Sequence, residues 1–175
     1  ILSMKKKIAI LGSTGSIGQA SLKIIKNNLK EFNIFLLSGN SNQILINAQI
    51  KKYKPKVFVI NNFAVYKQIK KKYKNKKIKI YNKFSHIPLS LTKLDITISA
   101  IVGIAGLEPT IQFIKKSKKI LLANKETIIC GWHIIRNLCK KTKTKIIPID
   151  SEHFSIDQLT KNFQDKDIEK IYITA

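Results

Sequence analysis

Arginine is almost missing. Of 33 basic residues only Arg136 is an arginine, set against ten acids and a formal net charge of +23. A surface evolved for nucleic acid draws on arginine, whose planar fork matches phosphate and guanine. Lys, Ile and Asn make up 78 of the 175 residues, and all three have A/T-rich codons. Base composition can produce this charge without a polyanionic partner, and no nucleic-acid partner is expected. A basic nucleic-acid-binding α/β domain stays as the second reading. Cysteine is nearly absent as well. Cys130 and Cys139 lie nine apart on one predicted helix and point to opposite faces, so they are not expected to pair. That fits a reducing, cytoplasmic setting. No apolar run approaches the roughly 18 residues that cross a bilayer. The opening Ile-Leu-Ser-Met-Lys-Lys-Lys carries no cleavable apolar stretch, so neither a membrane association nor a signal peptide is expected. The apolar fraction of 44% and charged fraction of 25% are ordinary, which excludes a disordered or fibrous chain.

What is present is alternation. Short continuous apolar runs at 7–11, 34–37, 57–60, 78–81, 95–101, 120–123 and 145–149 read as buried strands. Segments 16–28, 44–53, 63–73, 108–116 and 126–139 between them read as helices. This order predicts an α/β fold, a doubly wound Rossmann-like parallel sheet with helices on both faces. Residues 1–149 are expected to form that domain and 150–175 to begin a second, catalytic one. Ile171–Thr174 reads as a further strand, and the chain reads as truncated there. Lys67–Lys79 holds eight lysines in thirteen residues but keeps apolar positions between them, as a solvated helix face does.

Three constellations carry chemistry. Gly12-Ser-Thr-Gly15-Ser-Ile-Gly18 joins the first strand to the first helix. Its glycines suit a tight turn, close approach of a diphosphate, and helix-on-strand packing, with the helix N-terminus facing the anion. The second strand ends in Ser38-Gly39-Asn40-Ser41-Asn42. No acid stands there to bind a ribose 2′-hydroxyl, which favours NADP over NAD. Asp150-Ser151-Glu152 follows an apolar strand. If extended, Asp150 and Glu152 point to one side, two hard ligands suited to Mg²⁺ or Mn²⁺; an acid pair at this spacing also arises as a helix cap with a surface residue. Asn124-Lys125-Glu126 lies at a strand-to-helix junction, where Lys125 could meet an anionic oxygen or Asn124 simply cap the helix.

Four segments in this order resemble the 1-deoxy-D-xylulose 5-phosphate reductoisomerase family: Ile8–Gly18, Ala100–Leu107 with Pro109-Thr110, Ile120–Glu126 and Pro148–His153. The resemblance runs from about Met4 to Ala175. It implies an NADPH-dependent isomerisation and reduction of a sugar phosphate to 2-C-methyl-D-erythritol 4-phosphate in non-mevalonate isoprenoid biosynthesis. It also implies a divalent metal, Mg²⁺ or Mn²⁺. By position, Thr14, Gly15, Ser16 and Ile17 would hold the NADPH diphosphate, with Gly39, Asn40 and Ser41 near its 2′-phosphate. Ala100, Ile101, Val102, Asn124 and Glu126 would line the cofactor. Lys125, Ser151 and Glu152 would face the substrate, and Asp150 and Glu152 would hold the metal. Asn40-Ser41 departs from the basic residue and Asn usual in the family, which weakens the NADP preference. Family members are more than twice as long and homodimeric. This chain therefore reads as their N-terminal part, inactive by itself, with the dimer weakened as an expectation.

Overall fold

A computed structural model describes residues 5–88 and 93–172. In chain order the elements are β1 (Lys6–Leu11), α1 (Ser16–Asn27), β2 (Phe32–Gly39), α2 (Gln43–Tyr53), β3 (Val57–Ile60), α3 (Phe63–Lys72) and β4 (Lys79–Tyr81). There follow β5 (Leu94–Ser99), α4 (Leu107–Ile114), β6 (Ser117–Leu122), α5 (Lys125–Thr142), β7 (Lys145–Pro148) and α6 (Ser151–Thr160). The seven strands form one sheet in the order β4-β3-β2-β1-β5-β6-β7, and every pairing is parallel.

The winding starts at β1 in the middle. The chain runs outward through β2, β3 and β4, returns to β5 beside β1, and runs outward again through β6 and β7. Leu22 and Ile25 of α1, Ile46 and Ile50 of α2 and Ile69 of α3 pack on one face of the sheet. Phe113 and Ile114 of α4 and Ile135 of α5 pack on the other, together with Phe84 and Ile87 from the β4–β5 connection. Strands covered on both faces must be apolar throughout, and Val57–Ile60 is buried at every position. This is the doubly wound Rossmann-like fold expected. Its switch point lies between β1 and β5, above whose C-terminal ends α/β sheets bind ligands.

Two expectations are corrected. Asp150-Ser151-Glu152 is not extended: α6 begins at Ser151 and Asp150 is its N-cap. The alternation of side chains along a strand therefore does not explain how the two acids relate. Within the expected strand at the chain's end, Ile171 and Tyr172 form no regular structure, and Ile173 and Thr174 lie outside the described residues. In α1, Ile17, Ala20 and Ile24 face solvent, and the helix rests on the sheet through Gly18, Leu22 and Ile25.

Candidate cofactor and metal site

The turn after β1 is fixed by its glycines and by β2. Gly12 has φ +81°, and a Cβ there would lie 2.6 Å from the Ala100 carbonyl oxygen. A Cβ on Gly18 would collide with the Gly12 carbonyl oxygen. Both positions are therefore demanded by the fold itself. Gly15 differs. Its φ is −75°, and the nearest atom to a Cβ would be 3.4 Å away, an ordinary contact. Neither backbone conformation nor internal packing requires glycine at 15.

The helix behind Gly15 is open at its N-terminus. Asn42, Asn62, Asn124 and Asp150 each accept a hydrogen bond from a first-turn N–H of α2, α3, α5 and α6. Gly15, the N-cap of α1, has no side chain to do so. The α1 dipole and first-turn N–H groups face outward beside Thr14, Gly15, Ser16 and Ile17, an arrangement suited to a diphosphate. From behind, Ser38 Oγ accepts from Gly12 N at 2.8 Å and the Ser38 carbonyl accepts from Ser13 N at 2.7 Å. Gln49 Nε2 donates to the Ser13 carbonyl at 2.8 Å. Gly39 closes β2 against Thr14, whose Cγ2 would lie 2.9 Å from a Cβ at 39. Asn40 and Ser41 are exposed in the bend before α2.

Across the switch point, one cavity of about 260 Å³ is lined by Ile17, Ala100, Ile101, Val102, Ala123, Asn124, Lys125, Glu126, Asp150 and Glu152. It unites nine of the expected site residues from four chain segments. Thr14 and Gly15 sit in the turn before Ile17 and Ser16 opens α1, while Gly39 ends β2 and Asn40 and Ser41 lie in the bend after it; these and Ser151 are outside the cavity lining. Asn124 is 4% exposed and fully engaged. Its Oδ1 accepts from Thr127 N at 3.1 Å, and its Nδ2 donates to the carbonyls of Ile101 and Gly103. It is both the cap of α5 and the clasp on the Ile101–Gly103 loop, so its side chain shapes the cavity wall.

The acids stand at the cavity's far side. Asp150 Oδ1 accepts from the His153 backbone N–H at 3.1 Å and lies 2.6 Å from His153 Nδ1. Asp150 Oδ2 is buried and without a partner. An unsatisfied carboxylate oxygen is costly, and a hard cation is the ligand that suits it. Glu152 is exposed. The Ser151 hydroxyl, donating to its Oε2 at 2.7 Å, holds its carboxyl below the usual range, helped by the nearby Lys125 charge. Ser151 thus spends its hydroxyl on Glu152. Among the described residues no three His, Cys, Asp or Glu side chains form a metal-binding group, so the pair can give only part of a coordination sphere. Sequence reasoning missed Gln49 and the ring of His153. Gln49 was detectable as a polar residue standing between core positions Ile46 and Ile50.

Residues 8–131 match the family model described as 1-deoxy-D-xylulose 5-phosphate reductoisomerase. The chain belongs to this family. It is 45% identical over 173 residues to the 1-deoxy-D-xylulose 5-phosphate reductoisomerase of Pelagibacter ubique, covering 97% of this chain and 45% of that one. The reductoisomerase of Buchnera aphidicola is 41% identical over 170 residues, covering 95% and 43%. Among solved structures, the Zymomonas mobilis reductoisomerase in complex with NADPH superposes with a TM-score of 0.82 at 28% identity, covering 94% of this chain and 43% of that one. A DOX-P reductoisomerase in complex with NADPH, fosmidomycin and magnesium gives 0.79 at 32% identity, covering 87% and 38%. The chain thus spans a little under half the length of these reductoisomerases. Among the described residues no helix is long and apolar enough to cross a membrane.

Proposed function

We propose that this chain is the NADPH-binding portion of a cytoplasmic 1-deoxy-D-xylulose 5-phosphate reductoisomerase. The whole enzyme isomerises that sugar phosphate and reduces the product to 2-C-methyl-D-erythritol 4-phosphate. Residues 1–149 form the cofactor domain and 150–175 open the catalytic one. The observation that carries this reading is the bare Gly15 at the uncapped start of α1, adjoining a cavity that also holds Asp150 and Glu152.

The division of labour follows from the side chains. The first-turn N–H groups of α1 bind the diphosphate, and Gly15 lets it approach the backbone. Asn40 and Ser41, with no acid beside them, donate to a 2′-phosphate. Ala100, Ile101 and Val102 form an apolar wall that orients the reducing end of the cofactor and excludes water from it. Lys125 presents a cation to the anionic substrate, and Ser151 fixes the Glu152 carboxylate. Asp150 and Glu152 would hold Mg²⁺ or Mn²⁺. NADPH supplies the hydride, and the divalent cation supplies Lewis acidity at neighbouring substrate oxygens. The 175 residues alone bind NADPH without turning over substrate, because two carboxylates do not complete the metal site. The homodimer implied for the family belongs to the longer protein.

NADPH titration by fluorescence, with Gly15→Val beside the parent chain, tests the cradle. The variant is expected to bind at least ~10-fold more weakly, since a branched side chain occupies the space the diphosphate needs. Equal affinity in the two would refute the assignment.

A further inference from the structure

A second cavity, of about 930 Å³, opens at the opposite end of the sheet from the cofactor site. It lies where β1, β3 and β4 begin and α2 and α3 end. Its floor is apolar, built from Phe35, Ile50, Val57, Tyr73 and Ile78. Seven lysines surround that floor, among them Lys51, Lys54, Lys56, Lys76 and Lys77, and no acid is in the lining.

Helix dipoles do not account for all of these lysines. The dipole acts at the helix end, which covers Lys51 and the C-cap Lys54 of α2. Lys56, Lys76 and Lys77 lie in the connections beyond α2 and α3. Ion pairing does not account for them either. Among the described residues, Lys118 with Asp95 is the one lysine–carboxylate pair. Asp95 also accepts from the backbone N–H of Lys7, a further rim lysine. Seven like charges around one opening repel one another, and an anion seated among them relieves that repulsion. The volume is that of a small-molecule site.

We infer that this cavity binds an amphipathic organic anion, with the apolar body on the Phe35–Ile50–Ile78 floor and a phosphate or diphosphate among the lysines. The site is separate from the cofactor cradle and does not rest on the function proposed above. Lysine suits this task because a flexible ammonium serves as a point charge for phosphate. Of the eight lysines in Lys67–Lys79, Lys76, Lys77 and Lys79 line this cavity.

The test uses octyl phosphate, octanol and inorganic phosphate, titrated by calorimetry and amide NMR into the full 175-residue chain with NADPH present. Octyl phosphate is expected to bind one-to-one, at least tenfold more tightly than either control, with shifts confined to Lys7, Phe35 and residues 50–57 and 73–79. The exposed double replacement Lys51→Glu with Lys77→Glu should weaken it at least tenfold while the circular dichroism spectrum is unchanged. Lys23→Glu with Lys26→Glu, on α1, should leave it unaltered. Equal binding of inorganic phosphate or octanol, shifts at the cofactor turn, or indifference to Lys51→Glu with Lys77→Glu would each overturn the site. So would displacement of octyl phosphate by a short DNA duplex at physiological salt, which would make the surface a nucleic-acid face.

Discussion

The Ser13 hydroxyl donates to the side-chain carbonyl of Gln49 at 2.6 Å, although 36 residues separate the two. The Gln49 amide returns a bond to the Ser13 carbonyl. Both residues are buried, so α2 helps hold the turn that β1 begins and α1 ends. Gln49→Met keeps the volume and removes both bonds, leaving the buried Ser13 carbonyl without the Gln49 amide, while the Ser13 hydroxyl keeps the Ser38 carbonyl at 2.9 Å. It should lower unfolding stability by about 1–3 kcal/mol in urea denaturation and weaken NADPH binding as the turn loosens. Loss of stability with unchanged NADPH affinity would show that the turn holds its shape without α2.

Asn124 does two things that substitution can separate. Asn124→Ala removes the α5 cap and the clasp on Ile101 and Gly103, with an expected loss of about 2–4 kcal/mol in thermal unfolding. Asn124→Asp keeps the acceptor for Thr127 but turns an oxygen toward two carbonyls. If capping were all, Asp would serve as well as Asn. The clasp predicts instead that Asp is at least as damaging as Ala at neutral pH, with partial recovery in acid, where the protonated carboxyl can donate.

The sheet was legible in the sequence because a doubly wound fold buries its strands on both faces. Val57–Ile60 and the run before Gly12 could hardly be anything else, and Gly12 and Gly18 stand where the turn geometry demands them. Helix α6 was legible only at its start, where the reading of Asp150 and Glu152 as a helix cap with a surface residue holds. Phe154 and Leu159 are exposed and none of its residues is buried, so no apolar stripe marked it. Asp150 nevertheless carried the signal, since an Asp just after a strand with an acid two residues on is an N-cap with a first-turn charge. The acids meet one cavity through that cap, not through an extended strand. The Ser13–Gln49 bond could not be read, because a polar residue in a core stripe does not name its partner.

Asp95, at the start of the interior strand β5, gives the fold a pH dependence. Hydrogen bonding by Lys118 at 2.8 Å, outweighing partial burial, with help from the Lys7 N–H, holds its carboxyl below the usual range. A carboxyl whose pKa is lowered in the fold contributes stability above its unfolded pKa and loses it as pH falls through the folded one. Asp95→Asn should therefore lower stability at pH 7 by up to about 1 kcal/mol, the scale of a partly exposed pair. The gap between the two chains should close as pH drops below about 4. Denaturant midpoints across that range measure it, and a gap that persists in acid would assign the effect to packing.

Magnesium should bind this chain weakly, and Asp150 should decide whether it binds at all. Mg²⁺ demands six oxygens in near-octahedral order and gives up water reluctantly, so one or two carboxylates hold it only with help from substrate or further ligands. Of the two acids, Glu152 is exposed and already bonded to Ser151, whereas Asp150 keeps a buried Oδ2 free of any partner. His153 fixes the other oxygen, so Oδ2 is presented in one orientation. Calorimetry should give a dissociation constant on the order of 1 mM or weaker. Asp150→Asn should abolish the heat, and Glu152→Gln should only weaken it. His153→Gln, which frees the carboxylate to rotate, should reduce affinity without removing it, because partners behind a metal ligand tune it by roughly 10–100-fold. Tight binding that survives Asp150→Asn would place the cation on other ligands, and the unpaired Oδ2 would then have to be satisfied by water.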